Sequence, residues 1–243
     1  MGLKIAIHKL IRKIGYDFRR YSADNFSELK RIKIIEKQNI GLVLDIGASE
    51  GFYGKELREG GYKGRIISFE PLIESYKALQ QRSSGDSQWD TFNLALGEED
   101  GEVDMSVSGN VTSSSLLSMT DVHINALASS ATIAKERINV RTLNSLIGKG
   151  ISAEERIYMK VDVQGFEMFV LKGADKIFPQ VQAIEMELSL APLYQGGPLF
   201  LEMIRYLEKL GFALVSLSHV FSDAKTDQLL QVDGIFKRMH PQK

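Results

Sequence analysis

The stretch Val43-Leu44-Asp45-Ile46-Gly47-Ala48-Ser49-Glu50-Gly51 decides how this 243-residue chain is read. It opens as the apolar run of a buried strand. It carries an acid near the strand's end, then two glycines four positions apart, and a helix-like segment, Phe52 to Arg58, follows. Strand, glycine turn and helix in that order bring backbone N–H groups and a helix N-terminus up to a ligand's negative group. The next apolar run, Arg65-Ile66-Ile67-Ser68-Phe69-Glu70, ends in a second acid, nineteen residues after Gly51. An acid at that strand tip is placed to accept hydrogen bonds from both hydroxyls of a ribose.

Three chemistries compete for the turn. A dinucleotide fold asks for G-x-G-x-x-G, and Ser49 stands where the middle glycine belongs. A hydrolase elbow asks for G-x-S-x-G, which Gly47 to Gly51 matches, with Ser49 as nucleophile and Asp175 and His219 as later acid and base. Against it, Asp45 sits in the would-be elbow strand and no Gly-rich oxyanion loop precedes it. An S-adenosylmethionine (SAM) fold asks for acid-x-Gly-x-x-x-Gly and an acid ending the second strand. Asp45, Gly47, Gly51 and Glu70 meet all of that pattern. The same glycines also suit a tight turn with no ligand, so spacing alone reaches a nucleoside-binding α/β domain and stops there.

Composition narrows the classes. With no cysteine, disulfides and thiolate metal sites are excluded. Four histidines, none in H-x-x-x-H or H-E-x-x-H spacing, give no reason to expect a metal. A net charge of −1 offers no global field for nucleic acid, and none is expected as a partner. No apolar run approaches the ~20 residues of a membrane span, and the first residues lack the continuous apolar core of a secretory signal. A cytoplasmic protein is the expectation.

Residues 1–38 read as a helical extension before a domain over 39–243. Leu3, Ile7, Leu10, Ile14 and Phe18 repeat at helical spacing, and Lys4, Lys9, Arg12 and Lys13 take the other face, with Arg19 and Arg20 just beyond. Such a helix either caps the sheet or rests weakly, through residues 1–20, on the anionic inner face of a membrane. From residue 42 short apolar runs alternate with helical stretches, the mark of βα units and a parallel sheet. Strands are expected at Leu42–Ile46, Arg65–Glu70, Thr91–Leu96, Ile157–Val163 and Ala183–Leu188, and a helix from Pro71 to about Gln81. Residues 98–140 break the rhythm: Glu102–Val107 alternates as an exposed strand, a hydroxyl-rich run follows, and Leu116–Lys135 has no firm signal. A stretch of that length between βα units is either a lid or a surface excursion. Ile138–Leu143 reads as a strand and Leu143–Ile147 as a short helix. Leu199–Leu210 reads as an amphipathic helix stopped by Gly211. Ala213–Leu217 and Gln231–Phe236 read as a closing antiparallel hairpin.

At the fourth strand the residues resemble a known family. Met159-Lys160-Val161-Asp162-Val163-Gln164-Gly165-Phe166-Glu167, with Val170-Leu171-Lys172-Gly173-Ala174, resembles the signature of the FkbM family of SAM-dependent methyltransferases. Phe69-Glu70-Pro71, Asn93-Leu94-Ala95-Leu96-Gly97 and Ile184-Glu185-Met186-Glu187 add to the likeness, which runs from about residue 40 to 238. Gln164 departs from it, since the family commonly has Glu there. The resemblance implies a class I methyltransferase fold, a seven-stranded, mostly parallel sheet with helices on both faces. It also implies SAM as cofactor, and methyl transfer to a hydroxyl of a sugar, glycan or polyketide-like acceptor. A catalytically idle binding module on the same fold is the alternative from another class.

Under that reading Asp45, Gly47, Ser49 and Gly51 hold the methionine end of SAM, with backbone N–H groups around the turn for its carboxylate. Glu70 and Pro71 hold the ribose, and Ala95 and Leu96, with Leu94, flank the adenine. Asp162, ending the strand beside the first, touches the cofactor and is the candidate base for the acceptor hydroxyl. Lys160, on the same sheet face by alternation, is the candidate catalytic partner of Asp162 or pairs with Glu185. Glu167 is explained by the helix dipole, and His123 and His219 stand as runner-up bases.

Overall fold

A computed structural model describes residues 2–16, 20–148, 150–152 and 154–239. The chain opens with α1 (Gly2–Lys13) and α2 (Ser27–Lys37), then β1 (Leu42–Ile46), α3 (Phe52–Glu59), β2 (Arg65–Phe69), α4 (Ile73–Ser83) and β3 (Trp89–Phe92). An excursion follows: β4 (Ala95–Leu96), β5 (Gly101–Ser108), α5 (Asp121–Ala126) and β6 (Thr132–Arg141). The chain then runs through α6 (Leu143–Leu146), β7 (Ile157–Val161), α7 (Glu167–Lys172), β8 (Val181–Ser189), α8 (Phe200–Lys209), β9 (Phe212–Ser222) and β10 (Leu229–Arg238).

Seven strands form one sheet in the order β3-β2-β1-β7-β8-β10-β9. β3, β2, β1, β7 and β8 run parallel, and β10 is antiparallel to both of its neighbours. This is the class I methyltransferase sheet. The chain builds one side of β1 first and returns to the other through β7, so the order reverses between β1 and β7. The carboxyl ends of those two strands form the crevice where open α/β sheets bind ligands.

Alternation along each strand sorts the two faces. Leu42, Leu44 and Ile46 share one buried cluster with Met159, Val161, Val170, Leu171 and Leu207, under α7 and α8. Val43, Ile66, Tyr158 and Ala183 face the other way, against Ile34 and Ile35 of α2, Leu57 of α3 and Leu79 of α4. On that second face the register lines up Ser68, Asp45, Lys160 and Glu185 across four neighbouring strands. A polar row thus crosses a sheet that is otherwise apolar.

Several elements differ from the sequence expectation. The described residues of 1–38 form two helices, Gly2–Lys13 and Ser27–Lys37, rather than helix throughout; Gly15 takes φ +85°, and Asn25 Nδ2 donates to the Arg20 carbonyl. The side chains of Leu3 and Lys4, and all of Phe18 and Arg19, lie outside the described residues. α1 does not cap the sheet: Ile7, Leu10 and Ile14 are 47%, 66% and 69% exposed. The strand expected over Thr91–Leu96 is two strands in two sheets. Asn93 Nδ2 donates to the carbonyls of Glu70 (3.0 Å) and Pro71 (2.8 Å), turning the chain off the main sheet so that Ala95 and Leu96 pair with β6. The helix after β2 starts at Ile73, because the Leu72 N–H is taken by Glu70 Oε1 at 2.9 Å. In the stretch without signal α5 forms, and the strand expected at Ile138–Leu143 begins earlier and ends sooner, as β6 over Thr132–Arg141, which pairs with β5 from Thr132 to Val140.

Candidate functional site: a cofactor cavity joined to an acceptor cavity

The turn after β1 is built by backbone strain that few residues tolerate. Gly47, Ser49 and Gly51 take φ of +75°, +47° and +82°, the left-handed region. A Cβ at Gly47 would collide with the Asp162 carbonyl oxygen, so glycine lets the ends of β1 and β7 close on each other. Most N–H groups of this turn are already used. Gly47 and Ala48 donate to the Phe69 carbonyl (3.0 and 2.9 Å), Gly51 to that of Ala48 (2.8 Å), and Ser49 to Glu70 Oε2 (2.8 Å). These bonds occupy four of the N–H groups expected to receive the cofactor's carboxylate; the first turn of α3, directly after them, carries N–H groups with no helical partner.

Glu70 is buried at the tip of β2, its two oxygens fixed by the N–H groups of Ser49 and Leu72. Burial pushes its carboxyl up to about 7, against the two backbone bonds that pull it down. Beside it opens a cavity lined by Phe69, Pro71, Leu94, Ala95, Leu96 and Phe166, and floored by Gly47, Ser49 and Asp162. Apolar walls for a flat heterocycle and one carboxylate for a diol fit the adenosine of SAM. Val111, Thr112, Ser114 and Leu116 of the excursion close the same cavity. They are pinned there by Ser115 Oγ donating to the Gln164 carbonyl (2.6 Å), and Tyr194 Oη lies 3.2 Å from the carbonyl oxygen of Ser113.

Asp45 and Gly51 line neither this cavity nor the next. Asp45 is fully buried and acts beneath the turn: Trp89 Nε1 donates to Ser68 Oγ, which donates to Asp45 Oδ2, both at 2.9 Å. Its Oδ1 lies 3.6 Å from Lys160 Nζ. Lys160 in turn donates to the Gly47 carbonyl at 2.9 Å and lies 3.4 Å from Asp162 Oδ2. The polar row is therefore a brace that fixes the glycine turn from below, and Lys160 pairs with Asp162 and Asp45 rather than with Glu185. Burial raises the Asp45 carboxyl, opposed by Lys160 and Ser68.

A second cavity meets the first at Gly47, Ser49, Thr112 and Asp162, which line both. Its other walls are Phe52 and Tyr53 of α3, Lys160, Glu187 and Asp233. At its edge Arg31 of α2 makes a bidentate pair with Glu185 (2.7 and 2.8 Å). Tyr53 and Tyr158 also donate to that carboxylate, at 2.8 and 2.9 Å. Burial opposes ionisation of Glu185, yet Arg31 and the two phenols hold its carboxyl below the usual range. Glu167 is more than a dipole partner: its Oε1 accepts the N–H groups of Val163 (3.3 Å) and Gly165 (3.0 Å), closing the turn that carries Gln164. Burial pushes Glu167 up to about 7, and Asp233 likewise.

The profile of the FkbM methyltransferase domain matches residues 45–214. The chain belongs to this family. It is a SAM-dependent methyltransferase by family and fold. No curated protein matches it. Solved structures similar to this FkbM methyltransferase include TehB of Haemophilus influenzae, at 11% identity, with 88% of this chain and 62% of that one covered and a TM-score of 0.47. An rRNA methylase of Streptococcus thermophilus aligns at 10% identity over 87% of this chain and 96% of that one, with a TM-score of 0.46. A TehB-like SAM-dependent methyltransferase of Corynebacterium glutamicum aligns at 11% over 98% and 97%, with a TM-score of 0.40.

The hydrolase alternative does not assemble in this FkbM methyltransferase. His219 bonds Ser222 on β9, at the sheet edge, Asp175 holds Asn144, and neither lines a cavity with Ser49. The runner-up base His123 is buried, edge-on to Tyr194, and also lines neither cavity. Asp233, Gln231 and Arg31 are site residues that the sequence reading did not single out. For Glu187 one signal was present: Glu185 and Glu187 alternate within a strand otherwise fit for the core.

Proposed function

We propose that this methyltransferase transfers the SAM methyl group to a hydroxyl oxygen of a sugar, glycan or polyketide-like acceptor in the cytoplasm. The junction of the two cavities at Gly47, Ser49, Thr112 and Asp162 carries the reading. When bound, SAM supplies a methyl on a positively charged sulfur, and the protein's work is to position both partners and exclude water. Glu70 holds the ribose, the apolar walls hold the adenine, and the segment 111–116 roofs the reaction. Asp162, at the junction, orients the acceptor hydroxyl or takes its proton, and Lys160 steadies Asp162. The acceptor cavity presents Asp162, Glu187 and Asp233, a charge pattern that suits neutral polyols and disfavours a phosphate backbone. Mass spectrometry of cell extract incubated with the protein and methyl-labelled SAM tests this. Labelled methyl ethers of a hydroxylated acceptor are expected. Label on nucleic acid, or tight binding with no transfer to any acceptor, overturns it.

For α1, we propose weak docking on an anionic membrane, since apolar Ile7 and Leu10 of the helix, and Ile14 directly after it, stand exposed beside Lys9, Arg12 and Lys13. Among the described residues no helix is long and apolar enough to cross a membrane. Co-sedimentation with liposomes containing phosphatidylserine at low salt is expected, and equal binding to neutral liposomes or none at all defeats the idea.

A further inference from the structure

β8 presents two acids to the same face of the sheet, and the fold treats them differently. Glu185 is balanced by the Arg31 guanidinium. Glu187, one pleat further toward the crevice, has no cation within ion-pair distance among the described residues. Its Oε2 accepts from two neutral amides, Gln164 Nε2 at 2.8 Å and Gln231 Nε2 at 2.6 Å. The groups facing it from neighbouring elements are Asp162 at the end of β7, Glu167 of α7, Asp233 of β10 and the phenol of Tyr194, none of them cationic. No group of three or more acidic or imidazole side chains with metal-holding geometry occurs among the described residues.

We propose that Glu187 is the general base that takes the acceptor's hydroxyl proton, with Asp162 orienting that hydroxyl. The inference rests on the methyl-transfer reading above and assigns the proton within it.

Gln164 sets the geometry. Its amide nitrogen spends both hydrogens on carboxylates, Asp162 Oδ1 at 2.7 Å and Glu187 Oε2 at 2.8 Å, so the two acids are held one amide apart. A glutamate at this position, common in the family, has no hydrogens to give and would repel both. The brace is held in its turn: Tyr194 Oη donates to Gln164 Oε1 at 2.6 Å, and Gln164 keeps a left-handed φ of +56° that only a surrounding network maintains. Of the oxygens that Gln164 does not hold, Asp162 Oδ2 lies 3.4 Å from the Lys160 ammonium, whereas Glu187 Oε1 makes no ion pair among the described residues, although Lys160 and Arg31 line the same cavity as Glu187. Burial, then the charges of Asp162, Glu167 and Asp233, push the Glu187 carboxyl well above the ordinary range, the direction that makes a carboxylate a stronger base. The step balances. The acceptor O–H breaks and its proton passes to Glu187 Oε1. The oxygen bonds the methyl carbon as the sulfur–methyl bond breaks, and that electron pair stays on sulfur. A cation and a carboxylate become a neutral thioether and a carboxylic acid, which returns its proton to solvent.

Glu187→Gln and Asp162→Asn, each tested by calorimetry with S-adenosylhomocysteine and by transfer from labelled SAM to the acceptor fraction of extract, decide the matter. Both variants are expected to bind S-adenosylhomocysteine like wild type. Glu187→Gln should lose ~10²–10⁴-fold in transfer and the rise of rate with pH, and Asp162→Asn should keep that rise. If Glu187→Gln keeps the wild-type rate and profile, or if Asp162→Asn alone removes the rise, Glu187 is not the base. If wild type fails to bind S-adenosylhomocysteine, the methyl-transfer reading itself fails, a distinct result. Carboxyl NMR titration of the 13C-glutamate protein needs no acceptor. Glu187→Asp, which keeps the charge and removes one signal, assigns Glu187. A titration above the ordinary carboxylate range is expected, and an ordinary one overturns the proposal even if Glu187→Gln does not fold.

Discussion

The two sides of the crevice are made differently. On the β1–β2 side the ligand meets a backbone shape and one carboxylate: three left-handed residues within five positions, and Glu70 held by two N–H groups. On the β7–β8–β10 side it meets side chains from four elements: Tyr53 of α3, Lys160 and Asp162 of β7 and the turn after it, Glu187 of β8 and Asp233 of β10. Arg31 of α2 braces their edge. The first construction suits a ligand that never changes, because glycines fix where its atoms go. Apart from Lys160, whose ammonium also braces the glycine turn, the second can be altered one side chain at a time with little effect on the cofactor. Chemistry that varies between relatives belongs on the side that tolerates variation.

The sharpest way to break this contrast is to unbalance the acceptor side. Arg31→Met leaves Glu185 buried with no cation, and removing one partner of a buried pair costs ~3–5 kcal/mol. Urea unfolding should register a loss of that size. The double variant Arg31→Met/Glu185→Gln should recover much of it, since no charge is then stranded. Because Glu185 is held below its ordinary range in the folded protein, its pairing stabilises the fold above the unfolded pKa, and that stability is lost as pH falls through the folded one. The wild type should therefore lose more stability on acidification than the double variant. Equal acid sensitivity counts against a charged Glu185.

On the cofactor side, Glu70→Ala deletes two charge-assisted hydrogen bonds to the ribose, worth at least ~3 kcal/mol together, so SAM affinity should fall ~10²-fold or more. Calorimetry with an unchanged dissociation constant removes Glu70 from the site.

Next in size is Asp162→Asn. It removes the charge, keeps the shape, and weakens one charge-assisted hydrogen bond to the acceptor, worth ~1.5–3 kcal/mol, or roughly 10–10²-fold in turnover. Affinity for SAM should hold, since Asp162 touches that cavity only at the junction. A matching loss in SAM affinity erases the division between the two sides.

The same contrast explains what the sequence disclosed. Gly47, Gly51 and Glu70 were legible because the turn needs residues free of a Cβ penalty and the strand tip needs an acid at a fixed spacing, both local requirements. Strand order was accessible through the resemblance at 159–174, and the polar row could be suspected from Lys160 and Asp162 alternating. Glu187, Asp233 and Arg31 were not legible as a group, because they lie far apart in the chain and meet only once the sheet is closed. α1 was legible as amphipathic, but periodicity does not say what covers an apolar face, and here the exposed Leu10 and Ile14 show that α1 lies off the sheet. The break of Thr91–Leu96 into two sheets turns on one asparagine bonding two carbonyls, which no pattern of apolar residues encodes.

The smallest expected effect is a pH dependence confined to the cofactor side. Glu70 stands at about 7 in the free protein because burial opposes its charge. Ribose hydroxyls donate to the ionised form, so its pKa falls on binding. Above 7 Glu70 is already ionised and affinity is flat. Below 7 binding must expel a proton, and affinity falls by up to ~10-fold for each further pH unit until the bound-state pKa is reached. Between pH 8 and 6 the loss should be no more than about tenfold, accompanied by proton release that calorimetry in buffers of different ionisation enthalpy detects. Glu70→Gln should bind more weakly at pH 8, with no further change on acidification. S-adenosylhomocysteine serves as the probe, because it carries the same ribose and needs no acceptor. Should wild type bind it equally at pH 8 and 6 with no proton exchanged, the carboxylate of β2 is fully held by Ser49 and Leu72 and has nothing left for the diol. The cofactor side would then be made of backbone alone.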